Sequence, residues 1–120
     1  MKFLIADDSK LARRSLMKAL LPHSDEDHIF QATNGLEAVK TTLQERPDVV
    51  FLDLTMPEMD GYEALPKLRK IKPDIKVVVV SADVQEQAKQ KVLSLGAKLH
   101  IAKPINPDKM KEILEFIENG

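Results

Sequence analysis

The side chains best suited to chemistry in this sequence come directly after short apolar runs. Asp7 and Asp8 follow the first run, Asp53 the third, Ser81 the fourth and Lys103 the fifth. If these runs are strands of one parallel sheet, ligands bind outside the carboxyl ends of the strands, so these residues share one edge. We therefore expect three carboxylates, a hydroxyl and an ammonium group to lie together.

Such a cluster favours a divalent cation and phosphoryl chemistry. Neighbouring carboxylates repel one another unless a cation neutralises them, and oxygen ligands select a hard ion such as Mg²⁺. A carboxylate can then attack an activated phosphoryl group and form an acyl phosphate. The Lys103 ammonium and the Ser81 hydroxyl are suited to contact the transferred oxygens. Any one of the acids alone would more often be a helix cap or a loop residue, so the combination carries the prediction.

The elements that would position these residues alternate along the chain. Apolar runs of strand length, each followed by helical spacing, occur at Phe3–Ala6, Ile29–Ala32, Val49–Leu52, 77–80 and Leu99–Ala102. The third and fourth runs are continuously apolar, as expected for central strands covered by helices on both faces. The alternation predicts an α/β fold.

Capping residues mark the predicted helix starts. Asn34, Asp60 and Asp83 each stand three residues before a glutamate that can complete a capping box, and Asn106 precedes a proline suited to the first helical position. Pro66 falls about one turn after Asp60, where it predicts a kink or a later helix start. The apolar stripes expected to face the sheet in the last two helices are Val84, Ala88, Val92 and Leu95, and Met110, Ile113, Leu114 and Ile117.

Composition argues against several classes of function. With 18 basic and 19 acidic residues, the net charge of −1 offers no general attraction to nucleic acid or to an anionic membrane. The absence of cysteine excludes disulfides and thiolate chemistry and fits a reducing compartment, so we expect a cytoplasmic protein. The first apolar run meets Asp7 at once, which is too early for a signal peptide or a membrane span.

The motifs around the candidate residues resemble those of receiver domains of two-component response regulators, especially the stand-alone chemotaxis type called CheY-like. The resemblance spans nearly the whole chain, and the long central motif is the most specific part. It implies one receiver domain over residues 1–120, with a flavodoxin-like, doubly wound parallel sheet of strand order 2-1-3-4-5 and five helices. The matching motifs are Ala6-Asp7-Asp8-Ser9, Leu52-Asp53-Leu54-Thr55-Met56-Pro57-Glu58-Met59-Asp60-Gly61, Val80-Ser81-Ala82 and Ala102-Lys103-Pro104.

The resemblance implies a role for each matching residue. Asp53 would accept a phosphoryl group from a phosphohistidine on a histidine kinase or a histidine phosphotransfer protein. Mg²⁺ would bind Asp8 and Asp53 directly, the backbone carbonyl of Thr55, and Asp7 directly or through water. Lys103 would pair with Asp53 before the transfer and with the phosphoryl group afterwards. Its bond to the following proline is cis in many relatives.

The family's switch implies two further residues. The hydroxyl at the Ser81 position is drawn toward the phosphoryl group and is coupled to an aromatic ring three residues before the lysine, where this chain has His100. An imidazole is smaller and more polar than the usual Tyr or Phe, and it titrates near neutral pH. The alternative for His100 is a solvent-facing strand residue. In the family, phosphoryl lifetime depends on the positions of Thr55 and Asp83, and the Asp83 carboxylate also suits a helix cap.

The function that follows is a signalling module, used for example in chemotaxis or motility, which catalyses only its own phosphorylation and dephosphorylation. Its output protein would bind the face formed by the last two helices and the fifth strand, and the chain would be a monomer or a phosphorylation-dependent dimer. One alternative is a Mg²⁺-dependent aspartyl phosphotransferase or phosphatase, although Thr55 stands where such enzymes usually carry a second acid. Another is a fragment of a longer regulator, although the closing residues 115–120 end a helix without a linker.

Three other features favour ordinary structural roles. The charged residues of segment 23–28 could suggest a metal site, but a charged loop explains them. Arg13, Arg14 and Lys18 lie off the apolar stripe of the first helix, which predicts a solvated face, although in relatives this side docks the phosphodonor. Phe116 stands at the edge of its stripe, where we expect core packing.

Overall fold

The computed structural model describes residues 1–119, and in this range each strand is followed by a helix. Two short 3₁₀ turns, Leu21–His23 and Glu26–His28, lie between the first helix and the second strand. The elements are β1 Phe3–Ala6, α1 Lys10–Leu20, β2 Ile29–Ala32, α2 Gly35–Glu45, β3 Val49–Leu52, α3 Gly61–Ile71, β4 Lys76–Ser81, α4 Glu86–Ser94, β5 Leu99–Ala102 and α5 Pro107–Asn119.

The strands form one parallel sheet in the order β2-β1-β3-β4-β5. This confirms the predicted α/β class and strand order. The chain proceeds outward from β1 in both directions, so β1 and β3 are central neighbours at the point where the strand order reverses. Ala6 pairs with Leu52 in the register, which brings the residues that follow these two strands next to each other. A ligand site is expected at this point of an open α/β sheet.

Two apolar cores, one on each face of the sheet, hold the strands in place. Leu4, Val50 and Val77 belong to the core under α2 and α3, whereas Ile5 and Phe51 belong to the core under α1 and α5. Both central strands are buried along their whole length, as their continuous apolar runs predict. The fourth strand is one residue longer at each end than predicted, so Ser81 is its last residue and does not follow it.

The predicted helix starts are right in three cases and wrong in one. Asn34, Asp60 and Asn106 each accept a hydrogen bond from the amide three residues later, as N-caps do. Asp83 is not a helix cap, because α4 begins only at Glu86. The Asp83 carboxylate accepts from the Gln85 amide at 3.0 Å, so it closes a local turn before the helix.

Two other helix predictions need correction. Val84 lies before α4 and is 66% exposed, so it is not part of that helix's apolar stripe. The later helix start predicted from Pro66 is also wrong, since α3 begins at Gly61 directly after its Asp60 cap and continues through the proline. The stripe of α5 is buried at all four predicted positions.

The loop between β3 and α3 is held by close backbone contacts at two glycines. The Gly61 amide donates to the Leu54 carbonyl at 3.0 Å, and the Gly35 amide donates to the Met59 carbonyl at 2.9 Å. A Cβ atom on Gly61 would overlap the Asp53 carbonyl oxygen and lie 2.8 Å from the Leu54 Cα, and one on Gly35 would overlap the Met59 carbonyl oxygen. Only glycine therefore fits at these two positions, which fix the loop that follows Asp53.

The same loop contains a strained residue. Glu58 has a φ of +69°, which side chains with a Cβ rarely adopt. The turn is closed by a 2.7 Å hydrogen bond from the Met59 amide to the Pro57 carbonyl, which makes it a three-residue turn centred on Glu58. A left-handed conformation costs a residue other than glycine about 1–2 kcal/mol.

We expect Glu58→Gly to unfold at higher urea concentration than Glu58→Ala. Both variants lose the same carboxylate, but only glycine relieves the backbone strain. The difference in unfolding free energy should be about 1 kcal/mol after the larger unfolded-state entropy of glycine is subtracted. Urea titrations followed by circular dichroism measure it. Equal stabilities would show that the turn is unstrained.

Candidate functional site

Two carboxylates are buried side by side at the ends of the central strands. Asp7 follows β1 and Asp53 follows β3, and they are 1% and 7% exposed. Their backbones continue the sheet, because the Asp53 amide donates to the Ala6 carbonyl at 2.9 Å and the Asp7 amide donates to the Ala32 carbonyl at 3.0 Å. Strand pairing thus fixes where both side chains start.

Asp8 completes an acidic cluster with these two residues. It is exposed, and one carboxylate oxygen each from Asp7, Asp8 and Asp53 lie within 4.8 Å of one another. Oxygen donors at this spacing suit a hard divalent cation that keeps part of its water shell, which describes Mg²⁺. The donor set therefore fits the ion predicted from the sequence. Thr55 lies in the loop two residues after Asp53 and is exposed.

Lys103 reaches this cluster from the end of β5. Its ammonium lies 2.7 Å from Asp7 Oδ2 and 3.3 Å from Asp53 Oδ1, so it bridges the two buried acids. The sequence predicted the contact with Asp53, whereas the shorter contact with Asp7 was not predicted. The other Asp7 oxygen, Oδ1, accepts from the Ser9 amide at 2.9 Å. The peptide bond between Lys103 and Pro104 is cis.

The ionisation of this cluster reflects burial opposed by charge pairing. Burial raises the pKa of the Asp53 carboxyl and the neighbouring Asp7 charge raises it further, while Lys103 offsets part of the rise. For Lys103, burial acts to lower the pKa of the ammonium, but its hydrogen bond with Asp7 and the Asp53 charge outweigh burial and raise it. The positive charge of Lys103 is thus too small to offset the effects of burial and of Asp7 on the Asp53 carboxyl, and Lys103 itself stays protonated.

Ser81 and Lys103 are joined through their backbones. The Lys103 amide donates to the Ser81 carbonyl at 3.0 Å, next to the pairing of Ser81 with Ala102. The Ser81 side chain is buried, and its hydroxyl oxygen accepts from the Asp83 amide at 3.0 Å. Within residues 1–119 the hydroxyl donates no hydrogen bond, so it is available as a donor.

His100 lies on the same face of the sheet as Ser81. It pairs with Val79 in the register, and side chains two residues apart along a strand share a face. The His100 Nε2 atom is buried and has no hydrogen-bond partner within the described residues. The residue as a whole is half-buried, so Nε2 faces the protein while part of the side chain stays accessible to solvent.

Two surface interpretations change in the structure. The first concerns Arg13, which was predicted to be solvated but donates Nη1 to the Asp7 carbonyl at 2.9 Å and Nε to Gln31 Oε1 at 3.0 Å. Arg14 and Lys18 are exposed, as predicted. The second concerns Phe116, which is 49% exposed and does not pack in the core. Nothing in the sequence pattern distinguishes Arg13 from Arg14, because the contact partners of Arg13 lie on other elements.

Phe116 lines an apolar groove between β5 and α5. The groove has a volume of about 180 Å³, and Leu99, Ile101 and Ile113 form much of its remaining surface. The ring therefore forms one wall of a surface groove.

Among residues 1–119, no helix is both long enough and apolar enough to span a membrane.

Comparison with known proteins agrees with this geometry. Residues 3–115 match the model of the response regulator receiver domain family. The chain is 42% identical over 115 residues to the chemotaxis protein CheY of Listeria monocytogenes, with 96% of each chain covered. It is 35% identical to sporulation initiation phosphotransferase F of Bacillus subtilis, with 95% of this chain and 90% of the relative covered.

A solved structure shows the same fold. The chain superposes on a chain from the complex of CheX, CheY, BeF₃ and Mg²⁺ from Borrelia burgdorferi with a TM-score of 0.83 at 28% identity, and 99% of this chain and 87% of that chain are covered. The family match covers both central strands, the acidic cluster and Lys103. The chain therefore belongs to the response regulator receiver domain family, as a CheY-like receiver of two-component signalling.

Proposed function

We propose that this chain is a single-domain response regulator that accepts a phosphoryl group on Asp53 and then binds an output protein. The convergence of three carboxylates and one ammonium at the ends of β1, β3 and β5 carries this proposal. The chain covers 96% of the length of the CheY relative from Listeria monocytogenes, so the likeness to that relative extends over nearly all of it.

In the proposed reaction, a carboxylate oxygen of Asp53 attacks the phosphorus of the donor. A phosphorus–oxygen bond forms, the bond from phosphorus to the donor nitrogen breaks, and the histidine leaves with its electron pair. Asp53 is the best candidate because it is the buried acid whose pKa is raised by burial and by Asp7, so added positive charge favours its reactive form.

The metal would be held by the acidic cluster. Asp8 and Asp53 would bind Mg²⁺ directly, Thr55 through its carbonyl, and Asp7 directly or through water. When bound, the ion would neutralise the carboxylates and stabilise charge on the phosphoryl oxygens. Lys103 would move from the acids to the phosphoryl group, and the Ser81 hydroxyl would donate to one of its oxygens.

The proposed partners follow from the chemistry and from the relatives. A phosphohistidine on a histidine kinase or a phosphotransfer protein would be the donor, and the relative named sporulation initiation phosphotransferase F fits this chemistry. The output protein would bind the face formed by α4, β5 and α5, which includes the groove at Phe116. Chemotaxis is the proposed pathway, because the CheY relative from Listeria monocytogenes carries that name. The cytoplasmic location and the monomer or phosphorylation-dependent dimer stay predictions.

His100 would connect the site to that face. Its buried Nε2 atom has no partner among residues 1–119, so a movement of Ser81 that gave this nitrogen a hydrogen bond would be favoured. The aspartyl phosphatase alternative has no observation in its favour, because Thr55 replaces the second acid and residues 3–115 match the receiver family.

We expect Asp53→Asn to abolish labelling by acetyl phosphate in Mg²⁺, because the amide cannot form the acyl phosphate. Intact mass spectrometry and Phos-tag gels measure the label, and circular dichroism checks the fold. Asp25→Asn, a change at an exposed acid outside the site, is the matched control and should label normally. Undiminished labelling of the Asp53 variant would refute the assignment.

We also expect Asp53→Asn to be more stable than the wild type at neutral pH without Mg²⁺. Burial and the Asp7 charge hold the folded pKa of Asp53 above its ordinary value of 3.8, so ionising this group costs stability as pH rises through the folded pKa. The difference should therefore vanish below about pH 3.8. Conversely, Mg²⁺ at 100 times its Kd should stabilise the wild type by about 2.7 kcal/mol. Urea unfolding at several pH values tests this, and a wild type as stable as the variant at pH 7 would contradict it.

For the switch, we expect Mg²⁺ with beryllofluoride to shift the ring signals of His100 in NMR spectra. The expected cause is the movement of Ser81 on the same face of the sheet. His28, an exposed histidine outside the site, is the internal control and should not shift. Shifts at the Asp53 amide with an unchanged His100 ring would show that His100 has no coupling role.

A further inference from the structure

Arg13 leaves the surface of α1 and fixes the peptide between the first two acids. Its guanidinium donates Nη1 to the Asp7 carbonyl at 2.9 Å and Nε to Gln31 Oε1 at 3.0 Å, so one side chain joins α1 to the ends of β1 and β2. Arg13 is partly buried, whereas the neighbouring Arg14 is exposed. A guanidinium that holds two acceptors on different strands is a rigid link, because its donors have a fixed planar geometry.

The position of Asp7 is determined from every side. Its amide donates to Ala32, its Oδ1 accepts from the Ser9 amide, its Oδ2 contacts Lys103, and its carbonyl accepts from Arg13. The first three contacts involve strand pairing or the carboxylate. Within residues 1–119, only the Arg13 hydrogen bond acts on the carbonyl, and therefore on the orientation of the peptide plane that continues to Asp8.

Asp8 depends on that peptide plane. Its carboxylate is exposed and makes no hydrogen bond or ion pair with any of residues 1–119, although it lies within 4.8 Å of ligand oxygens of Asp7 and Asp53. No side-chain contact therefore holds Asp8 toward the cluster. Its direction is set by the backbone, and the Arg13 hydrogen bond is one residue away.

We propose that Arg13 is a positioning residue that orients the Asp7–Asp8 peptide so that Asp8 converges with Asp53 on the divalent cation. This inference rests on the proposed function, because it assumes that the acidic cluster binds Mg²⁺. The alternative is that Arg13 only stabilises the packing of α1 against the sheet. If Arg13 is a positioning residue, its loss lowers the affinity for Mg²⁺. If it only stabilises packing, its loss lowers the stability of the fold and leaves the affinity for Mg²⁺ unchanged.

The test compares Mg²⁺ affinity in Arg13→Lys and Arg14→Lys. Both variants keep the positive charge, but only the first loses the planar fork. Isothermal titration calorimetry and the chemical shifts of backbone amides in NMR spectra measure Mg²⁺ binding to the full chain. Urea unfolding measures the stability of the fold. Arg13→Lys should weaken Mg²⁺ binding about tenfold, as expected when a group that orients a metal ligand is lost. At saturating Mg²⁺ its rate of labelling by acetyl phosphate should return to the wild-type value.

Gln31→Leu provides a second variant that keeps the Arg13 charge and removes only its Nε acceptor. It should weaken Mg²⁺ binding severalfold, and it decides the question if Arg13→Lys does not fold. Mg²⁺ binding within twofold of the wild type, with lowered stability, would overturn the inference, as would an equal loss in Arg14→Lys. A wild type whose Asp8 and Asp53 amides do not respond to Mg²⁺ would instead overturn the proposed function itself.

Discussion

The electrostatic conflict between Asp7 and Asp53 is the constraint on which the rest of this structure depends. Two carboxylates are buried side by side at neighbouring strand ends, and one ammonium is shared between them. Burial favours the neutral acid and Lys103 favours the charged one, and burial prevails at Asp53, whose pKa is raised. The site therefore lacks positive charge, and this deficit favours the binding of a divalent cation.

The sheet holds the two acids next to each other, and the ammonium that pairs with them is carried by the long side chain of Lys103. Parallel pairing of β1 with β3 places the backbones of the two acids side by side. Lys103 comes from β5, at the edge of the sheet, and bridges both acids with a long flexible side chain. Glycines at 35 and 61 hold the loop after Asp53 against the sheet and against α2. The backbone thus fixes the positions of the two acids, whereas the Lys103 ammonium that pairs with them lies at the end of a flexible side chain.

The sequence predicts the parts of this arrangement that follow from local pattern. Apolar runs of strand length identified the five strands, and the acids directly after them identified the cluster, because strand ends meet at one edge of a parallel sheet. Arg13 was missed because its acceptors lie on β1 and β2, and no local pattern separates it from Arg14. Asp83 was misassigned because its carboxylate closes a turn two residues on, a use of aspartate that looks identical to a helix cap in sequence.

Phosphorylation would reverse the balance of charge at the same point. An acyl phosphate on Asp53 adds negative charge where one carboxylate stood, so the Lys103 ammonium would gain a stronger partner than Asp7. The backbone amide of Lys103 is bonded to Ser81, and β5 continues from Lys103 back to His100. A shift of one cation by a short distance would therefore act on two neighbouring strand ends at once. Among the described residues the His100 Nε2 atom has no hydrogen-bond partner, so a conformation that supplied one would be favoured. Under the proposed function, the response would therefore begin with a change in which anion Lys103 contacts.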